Sequence, residues 1–144
     1  MPWADRQGKP QLPIQEDETA VVIWSLWHHY NKFRNVEFIR SHYRRLVKSA
    51  ADFMVSYREP HTNLPAPSYD LWEERRGIHS FTVAAVWAGL QAAANFTEIF
   101  GDLKLTEQYR QAAAEIKEAA IKYLLTSCLV PKNSITSKLD TIQT

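Results

Sequence analysis

Three carboxylates and a tryptophan stand together in the segment SYDLWEERRG, residues 68–77. The acids are Asp70, Glu73 and Glu74, and Trp72 lies among them. Hydrolysis of a glycosidic bond needs one carboxylic acid that protonates the leaving oxygen and a second carboxylate that activates water or attacks carbon. The acid must keep its proton near neutral pH, so an apolar neighbour or a like charge has to raise its pKa. Trp72 and Glu74, on either side of Glu73, supply both influences.

The same segment also fits a solvated acidic turn beside a packed tryptophan. It lies in the stretch 59–79, which contains three prolines and a glycine and reads as a loop. Loops longer than about 12–15 residues are uncommon in compact domains and are usually functional or disordered. The aromatic residues of this stretch argue against disorder, and Tyr69 and Trp72 offer flat apolar surface to a sugar ring. We therefore expect an ordered functional loop, although pattern alone leaves both interpretations open.

Composition places the chain among globular proteins and excludes several functions. Its 144 residues suffice for one domain with a buried core, and 45% hydrophobic residues with only four glycines favour helices. The net charge of +1 gives no attraction to nucleic acid or to a membrane surface. No apolar run reaches 18 residues, so no membrane span is expected. A single cysteine and an N-terminal stretch without an apolar core predict a reduced, cytoplasmic protein.

The spacing of apolar residues predicts four helices, at 17–32, 36–58, 80–100 and 106–126. The first and third are apolar on nearly every face, so we expect them to be buried on most sides, and Asp17 is expected to cap the first. The second and fourth carry one apolar stripe each. A simple four-helix bundle would show four similar stripes instead. The alternation predicts an all-α fold with inner helices covered by outer ones, as in part of an α/α toroid.

Two segments resemble glycoside hydrolase family 15, the glucoamylase family. LPAPSYDLWEERRGIHSFTVAAVWAGLQAAANF is similar to the bacterial and archaeal members, in which YDLWEE is followed by Gly and then Phe-Thr, here Gly77, Phe81 and Thr82. Upstream, LPIQEDETAVVIWSLWHHY resembles the IQEDET-type segment that leads into a barrel helix. The resemblance covers about residues 3–125.

The resemblance implies an (α/α)6 barrel, of which this chain holds about four helices, and a pocket for the non-reducing end of an α-glucan or maltooligosaccharide. The implied reaction is inverting hydrolysis of terminal α-1,4-linked glucose. The resemblance assigns the general acid to Glu73. It implies that Glu74 helps to hold the sugar beyond the scissile bond, and that Asp70 supports the electrostatics of the site.

Further substrate-binding positions are implied by the same resemblance. Backbone groups around Leu71 and Trp72 are expected to line the pocket, and Tyr69 to border the outer subsite. Three residues upstream match positions near the active site: Gln15, Asp17 and, as a stacking tryptophan, Trp3. Asp17 thus has two interpretations, helix cap and site residue, and both can hold.

The chain departs from the family downstream of the acid motif. An inverting mechanism needs a general base about 6.5–9.5 Å from the acid, and no later carboxylate matches the family's base motif. Those carboxylates are Glu98, Asp102, Glu107, Glu115, Glu118 and Asp140. We therefore expect a fragment with a partial catalytic domain at 1–130, a disordered or divergent tail at 131–144, and no activity of this chain alone.

Other functions remain open. A non-catalytic or decayed helical remnant would associate with a partner, or with itself, through exposed inner helices. A trehalase-type family member is a further alternative. No cofactor or metal is expected: adjacent His28 and His29 point about 100° apart on a helix, and His61 and His79 lack ligand spacing. The basic run YRRLVK, residues 43–48, is interpreted as a solvated helix face rather than as a phosphate site.

Overall fold

A computed structural model of the chain describes residue 8, residues 14–70, residue 72 and residues 74–125. The elements, in chain order, are α1 (Glu16–Phe33), α2 (Val36–His42), a π-helical segment π1 (Tyr43–Lys48), α3 (Ser49–Ser56), β1 (Ser68–Tyr69), β2 (Arg76–Gly77), α4 (Ser80–Ile99), α5 (Leu103–Ala120) and a second π-helical segment π2 (Ile121–Leu125). Because α2, π1 and α3 run on without a break and π2 continues α5, the elements form four helical rods. The predicted tail at 131–144 lies outside the described residues.

The predicted all-α fold and its four helices are confirmed, and the arrangement agrees with part of an α/α toroid. The first and third helices match their predicted bounds to within one residue. The second ends two residues earlier than predicted, at Ser56, and the fourth begins three residues earlier, at Leu103. Among the described residues, no helix is long and apolar enough to cross a membrane.

Local interactions account for both ends of α1, although its N-terminus has no side-chain cap. Three acids fill its first turn, where the positive end of the helix dipole stabilises them. The expectation that Asp17 caps this helix is wrong, because the helix begins at Glu16 and Gln15 occupies the capping position without a side-chain cap bond. At the other end Arg34 adopts a left-handed conformation (φ 53°), and its N–H donates to the Tyr30 carbonyl at 2.8 Å.

The π-helical segment π1 alters the buried face of the second rod. The spacing of three and four predicts a stripe that includes Leu46 and Phe53. The structure instead buries Val47 and Met54 completely and leaves the predicted pair partly buried against the core. A π-helical turn accommodates an extra residue, so the face directed at the core advances by about one position along the chain.

The core lies where α1, α3 and α5 pack on α4. Gly89 of α4 has to be glycine, because a Cβ atom there would come within 2.9 Å of the Ala20 Cα in α1. On the other side, α5 buries the stripe predicted for it: Tyr109, Ala112, Ile116 and Ala119. The stripe ends sooner than predicted, since Tyr123 is exposed. The Tyr109 hydroxyl donates to Asp52 Oδ1 of α3 at 2.7 Å and joins the two rods.

The two apolar helices differ in how far they are covered. One face of α1 packs in the core, but much of the rest of the helix is exposed, whereas α4 exposes large side chains at only three positions. The exposed large apolar residues of these two helices are Val21, Val22, Trp24, Phe33, Phe81, Trp87 and Ile99. The expectation of burial on most sides therefore fails for α1, whereas α4 is buried or partly buried over most of its length.

Candidate active-site hairpin

The acidic segment forms the tip of a short antiparallel hairpin. Strand β1 pairs with β2 so that Ser68 stands opposite Gly77 and Tyr69 opposite Arg76. The Asp70 N–H donates to the Arg75 carbonyl at 3.0 Å and extends the ladder by one bond. Sequence patterning does not predict these strands, because two-residue strands carry no periodicity. The hairpin places Trp72 and Glu74, two described residues of the acid motif, in one exposed turn.

The Asp70 carboxylate closes that turn. Its Oδ1 accepts from the backbone N–H of Glu74 at 3.0 Å and from that of Arg75 at 3.4 Å. Desolvation acts to raise the pKa of Asp70, but hydrogen bonds from the backbone N–H groups of Glu74, Arg75 and Trp72 outweigh it and hold the pKa below its ordinary value. Asp70 is thus a charged group that shapes the loop, rather than a proton donor.

The upstream motif packs directly against this hairpin. The Gln15 side-chain amide donates from Nε2 to the Asp70 carbonyl at 2.9 Å, and the Tyr69 N–H donates to the Ile14 carbonyl at 3.3 Å. Residues 14 and 15 immediately precede α1, so these contacts tie the start of an inner helix to the acid turn. The two segments that carry the family resemblance lie side by side, although 55 residues separate Gln15 from Asp70.

Two further carboxylates are buried at the start of α1, and one of them lies beside the hairpin. Glu16 is 1% exposed and Asp17 is 0% exposed, and no oxygen of either carboxylate has a hydrogen-bond partner among the described residues. Ser68 of β1, 2% exposed, also has an unpartnered hydroxyl and lies beside Glu16 without completing a hydrogen bond. Asp17, a predicted site residue, is therefore fully buried and is not exposed on the turn with Trp72 and Glu74.

Some of the remaining predicted site residues lie on or near the turn, and the others lie outside the described residues. Trp72 is 81% exposed at the tip of the turn, and Glu74 is also exposed. Tyr69, at the base of the turn, is partly buried. The predicted general acid Glu73, the pocket residue Leu71 and the stacking candidate Trp3 lie outside the described residues. Their roles stay predictions.

The loop before the hairpin is held by its own hydrogen bonds. The Glu59 carboxylate accepts from the N–H groups of His61 and Thr62 at 3.0 and 2.7 Å. Desolvation opposes these bonds, yet they hold the pKa of Glu59 below its ordinary value. Arg58 donates from Nη1 to Glu115 Oε2 of α5 at 2.7 Å and fixes the loop to the helical rods.

The histidines do not assemble a metal centre. His79 follows β2, and its Nε2 lies 3.1 Å from the Arg75 carbonyl, so the ring braces the hairpin. Across the described part of the chain, no group of three or more histidine, cysteine or acidic side chains could hold a metal ion.

Comparison with known proteins decides the family. The sequence model described as Glycosyl hydrolases family 15 matches residues 6–141. The chain belongs to glycosyl hydrolase family 15. This match continues past the predicted domain boundary at residue 130. The two segments that resemble the family's glycosyl hydrolase motifs are the segments that the hairpin brings together.

One curated relative supports the same family. A protein described as an uncharacterized glycosyl hydrolase, from Methanocaldococcus jannaschii, is 33% identical over 87 residues. The aligned part is 60% of this chain and 13% of the relative, so the chain spans a small part of the length of that glycosyl hydrolase. No solved structure matches the chain significantly.

Sequence reasoning missed Glu16 and Ser68. Both lie inside the segments that carry the resemblance, Glu16 in IQEDET and Ser68 in SYDLWEERRG, but the resemblance assigns a role to neither. A glutamate at the start of a helix is ordinarily solvated. The signal that could have found Glu16 is its place directly before a helix with apolar residues on nearly every face. On such a helix, even first-turn positions face a neighbouring element.

Proposed function

We propose that this family-15 chain carries the proton-donor part of a glucoamylase-like active site. In this proposal Glu73 protonates the leaving oxygen during inverting hydrolysis of terminal α-1,4-linked glucose. The observation that carries the proposal is the hairpin, which presents Trp72 with 81% exposure immediately before Glu73. An exposed tryptophan in an ordered turn offers a flat apolar face to a sugar ring beside the acid.

The neighbouring groups have distinct roles in this proposal. Asp70 holds the turn by accepting main-chain hydrogen bonds, which fixes the direction in which the acid-bearing segment points. Glu74 is exposed and available to accept hydroxyl groups of the sugar beyond the scissile bond. Tyr69 borders the turn on the helix side. The proposal thus separates Asp70, which shapes the loop, from Glu73 and Glu74, which it assigns to the substrate.

The proposed substrate is the non-reducing end of an α-glucan, with trehalose as the alternative. Inverting hydrolysis also needs a general base, and no carboxylate of this chain matches the family's base motif. We therefore expect the purified chain to release no glucose from maltose, soluble starch or trehalose above the rate of a boiled control.

The test compares the wild-type chain with Glu73→Gln, and with Glu118→Gln on the exposed face of α5 as a matched control. Glucose release from starch that Glu73→Gln abolishes and Glu118→Gln preserves would show that a base is available to this chain. Release that survives Glu73→Gln would remove Glu73 from its role as the acid. Release from trehalose alone would favour the trehalase-type reaction.

A second candidate function is association through apolar surfaces. On α1, Val22 is 47% exposed and Trp24 43% exposed, on two different sides of the helix because residues two apart lie about 200° apart. A separate groove of about 300 Å³ between α4 and α5 is lined mainly by apolar residues, including Val83, Trp87 and Ile116. Large apolar side chains exposed on two helices, together with an apolar groove, are features of surfaces that take part in protein association.

Sedimentation measurements distinguish association from the glucoamylase-like function. They should cover about 1 to 100 µM, the order of concentration at which weak complexes form. Association through α1 predicts a mass that rises with concentration and falls to the monomer value in Trp24→Glu. Concentration-dependent mass without any sugar binding would support the association function alone. A monomer at every concentration would contradict it.

A further inference from the structure

The carboxyl group of Glu16 is buried at the base of the hairpin, and the described residues supply it with no salt-bridge partner. It is 1% exposed, and neither oxygen has a hydrogen-bond partner among the described residues. An isolated carboxylate in such a place is costly, because burial removes its hydration and nothing replaces it. Buried polar atoms are nearly always bonded, so a pair of unbonded carboxyl oxygens needs a physical explanation.

The groups that face Glu16 do not neutralise it. Asp17, on the same helical turn, adds a like charge, while His79 from the segment before α4 acts only weakly in the opposite direction. From β1 the facing group is the Ser68 hydroxyl, which is neutral and itself unpartnered. Burial is the main influence, and it raises the pKa of Glu16 above the ordinary value of 4.5 against the opposing backbone and Ser68 contributions.

The protonated carboxyl can remain buried without leaving a charge there. A neutral Glu16 has one O–H donor, which the Ser68 hydroxyl can accept, or it accepts the Ser68 O–H in another rotamer. The charged form can also accept the Ser68 O–H, but it leaves a negative charge buried beside Asp17, a second acid. A small rotation of either side chain from its present position completes the bond, since the two groups already lie side by side.

Ser68 is the residue through which this bond would act on the loop. It pairs with Gly77 at the open end of the hairpin, one residue before Tyr69, whose N–H bonds the Ile14 carbonyl. Glu16 directly follows Gln15, the residue that bonds the Asp70 carbonyl. The base of the hairpin is therefore held from Ile14, Gln15 and Glu16 in succession.

We propose that Glu16 is a positioning residue whose proton locks the hairpin: the neutral Glu16 carboxyl stays buried against Ser68 and lets the hairpin pack over it, and loss of that proton leaves an uncompensated buried charge that loosens the hairpin. The effect on catalysis rests on the proposed function, because only then does the turn carry a general acid. The lock itself is a property of the hairpin and can be measured without any substrate.

The direction of the pH effect follows from linkage. Because the closed hairpin binds the Glu16 proton more tightly than the open one, closure is most favourable below the ordinary carboxyl pKa. As the pH rises from that value toward the raised pKa of the closed form, closure weakens by up to about tenfold per pH unit, and above the raised pKa it stays constant. Glu16→Gln keeps a neutral donor and removes this dependence.

The test is amide hydrogen exchange of the full chain between pH 4 and 9, corrected for intrinsic exchange rates. The reporters are the N–H groups of Tyr69 and Asp70, which donate to Ile14 and Arg75. We expect their protection to fall with rising pH in the wild type and to stay level in Glu16→Gln. Glu18→Gln, an exposed acid on the same turn, should behave as the wild type does.

Two outcomes would overturn the proposal. One is the same pH dependence in Glu16→Gln, which would assign it to Asp17 or His79. The other is a carbon NMR titration of the wild-type Glu16 carboxyl at an ordinary carboxyl pKa, a measurement that needs no variant to fold. Neither bears on whether Glu73 donates a proton to a glycosidic oxygen, so failure of the lock and failure of the proposed function are distinguishable.

Discussion

At the scale of single residues, the candidate site is held in place by hydrogen bonds between side chains and main-chain atoms. Gln15 donates to the Asp70 carbonyl, and the Asp70 carboxylate accepts from two backbone N–H groups of its own turn. A neutral hydrogen bond of this kind contributes about 1 kcal/mol. Each contact therefore sets the conformation of one short segment without dominating the stability of the whole chain.

Replacing Gln15 with alanine should loosen the hairpin and little else. Loss of about 1 kcal/mol corresponds to roughly fivefold weaker protection of the Tyr69 and Asp70 N–H groups against hydrogen exchange. Amides in the middle of α4 should keep their protection. Gln108→Ala, on the exposed face of α5, serves as the control. Unchanged exchange at the hairpin would mean that the Gln15 contact does not anchor it.

The ion pair between Arg58 and Glu115 should make stability depend on pH. The hydrogen bond from Arg58 holds the pKa of Glu115 below its ordinary value, so the pair stabilises the fold above that value and the stabilisation is lost as pH falls through the lowered pKa. Partial exposure limits the contribution to about 1 kcal/mol at neutral pH. Urea unfolding of Arg58→Gln at pH 7 and pH 3 measures it.

A matched control exists in the more exposed pair of Arg110 with Glu98, at 2.6 Å. Arg110→Gln should cost less than about 0.5 kcal/mol at pH 7, because solvent screens that pair. If Arg58→Gln destabilised the chain equally at both pH values, the loss would come from packing rather than from charge.

At the scale of elements, periodic patterns predict the rods but not their distortions. The apolar stripes of α2–α3 and α5 and the apolar runs of α1 and α4 identify four helices within a few residues. The π-helical turn at Tyr43–Lys48 is not predicted, because it arises from packing between rods and has no signature in spacing. The hairpin is missed because its strands are stabilised from outside, by Ile14 and Gln15, rather than by their own pattern.

The contact between α1 and α4 should tolerate no added methyl group. Gly89→Ala would place a Cβ atom 2.9–3.0 Å from the Ala20 backbone, which cannot move without separating the helices. We expect a loss of about 1–3 kcal/mol in the free energy of unfolding, as for other overpacked cores. Chemical denaturation measures it, and Ser25→Ala on the exposed face of α1 should change it by less than about 0.5 kcal/mol. A fully stable Gly89→Ala chain would contradict the close approach.

At the scale of the whole molecule, the family and the all-α architecture follow from sequence more readily than the site does. Two motifs in the right order identify glycosyl hydrolase family 15, and the structure places them against each other. The burial of Glu16 could not be predicted, because it depends on packing against the hairpin residue Ser68, which is 52 positions away in the sequence. Exposure of apolar residues on α1 likewise depends on which elements pack there, not on the helix alone.

The most direct test of the proposed site is a nitrogen–proton NMR titration of the full chain with maltose. The proposed function predicts that chemical-shift changes on adding maltose are confined to residues 68–77 and to Gln15. These changes should disappear in Trp72→Ala, which removes the surface that binds the sugar. They should remain in Glu73→Gln, because Glu73 is proposed to transfer a proton and not to bind the sugar. Shifts centred elsewhere on the chain, or binding that Trp72→Ala leaves intact, would contradict the assignment of the hairpin as the sugar-binding part of the active site.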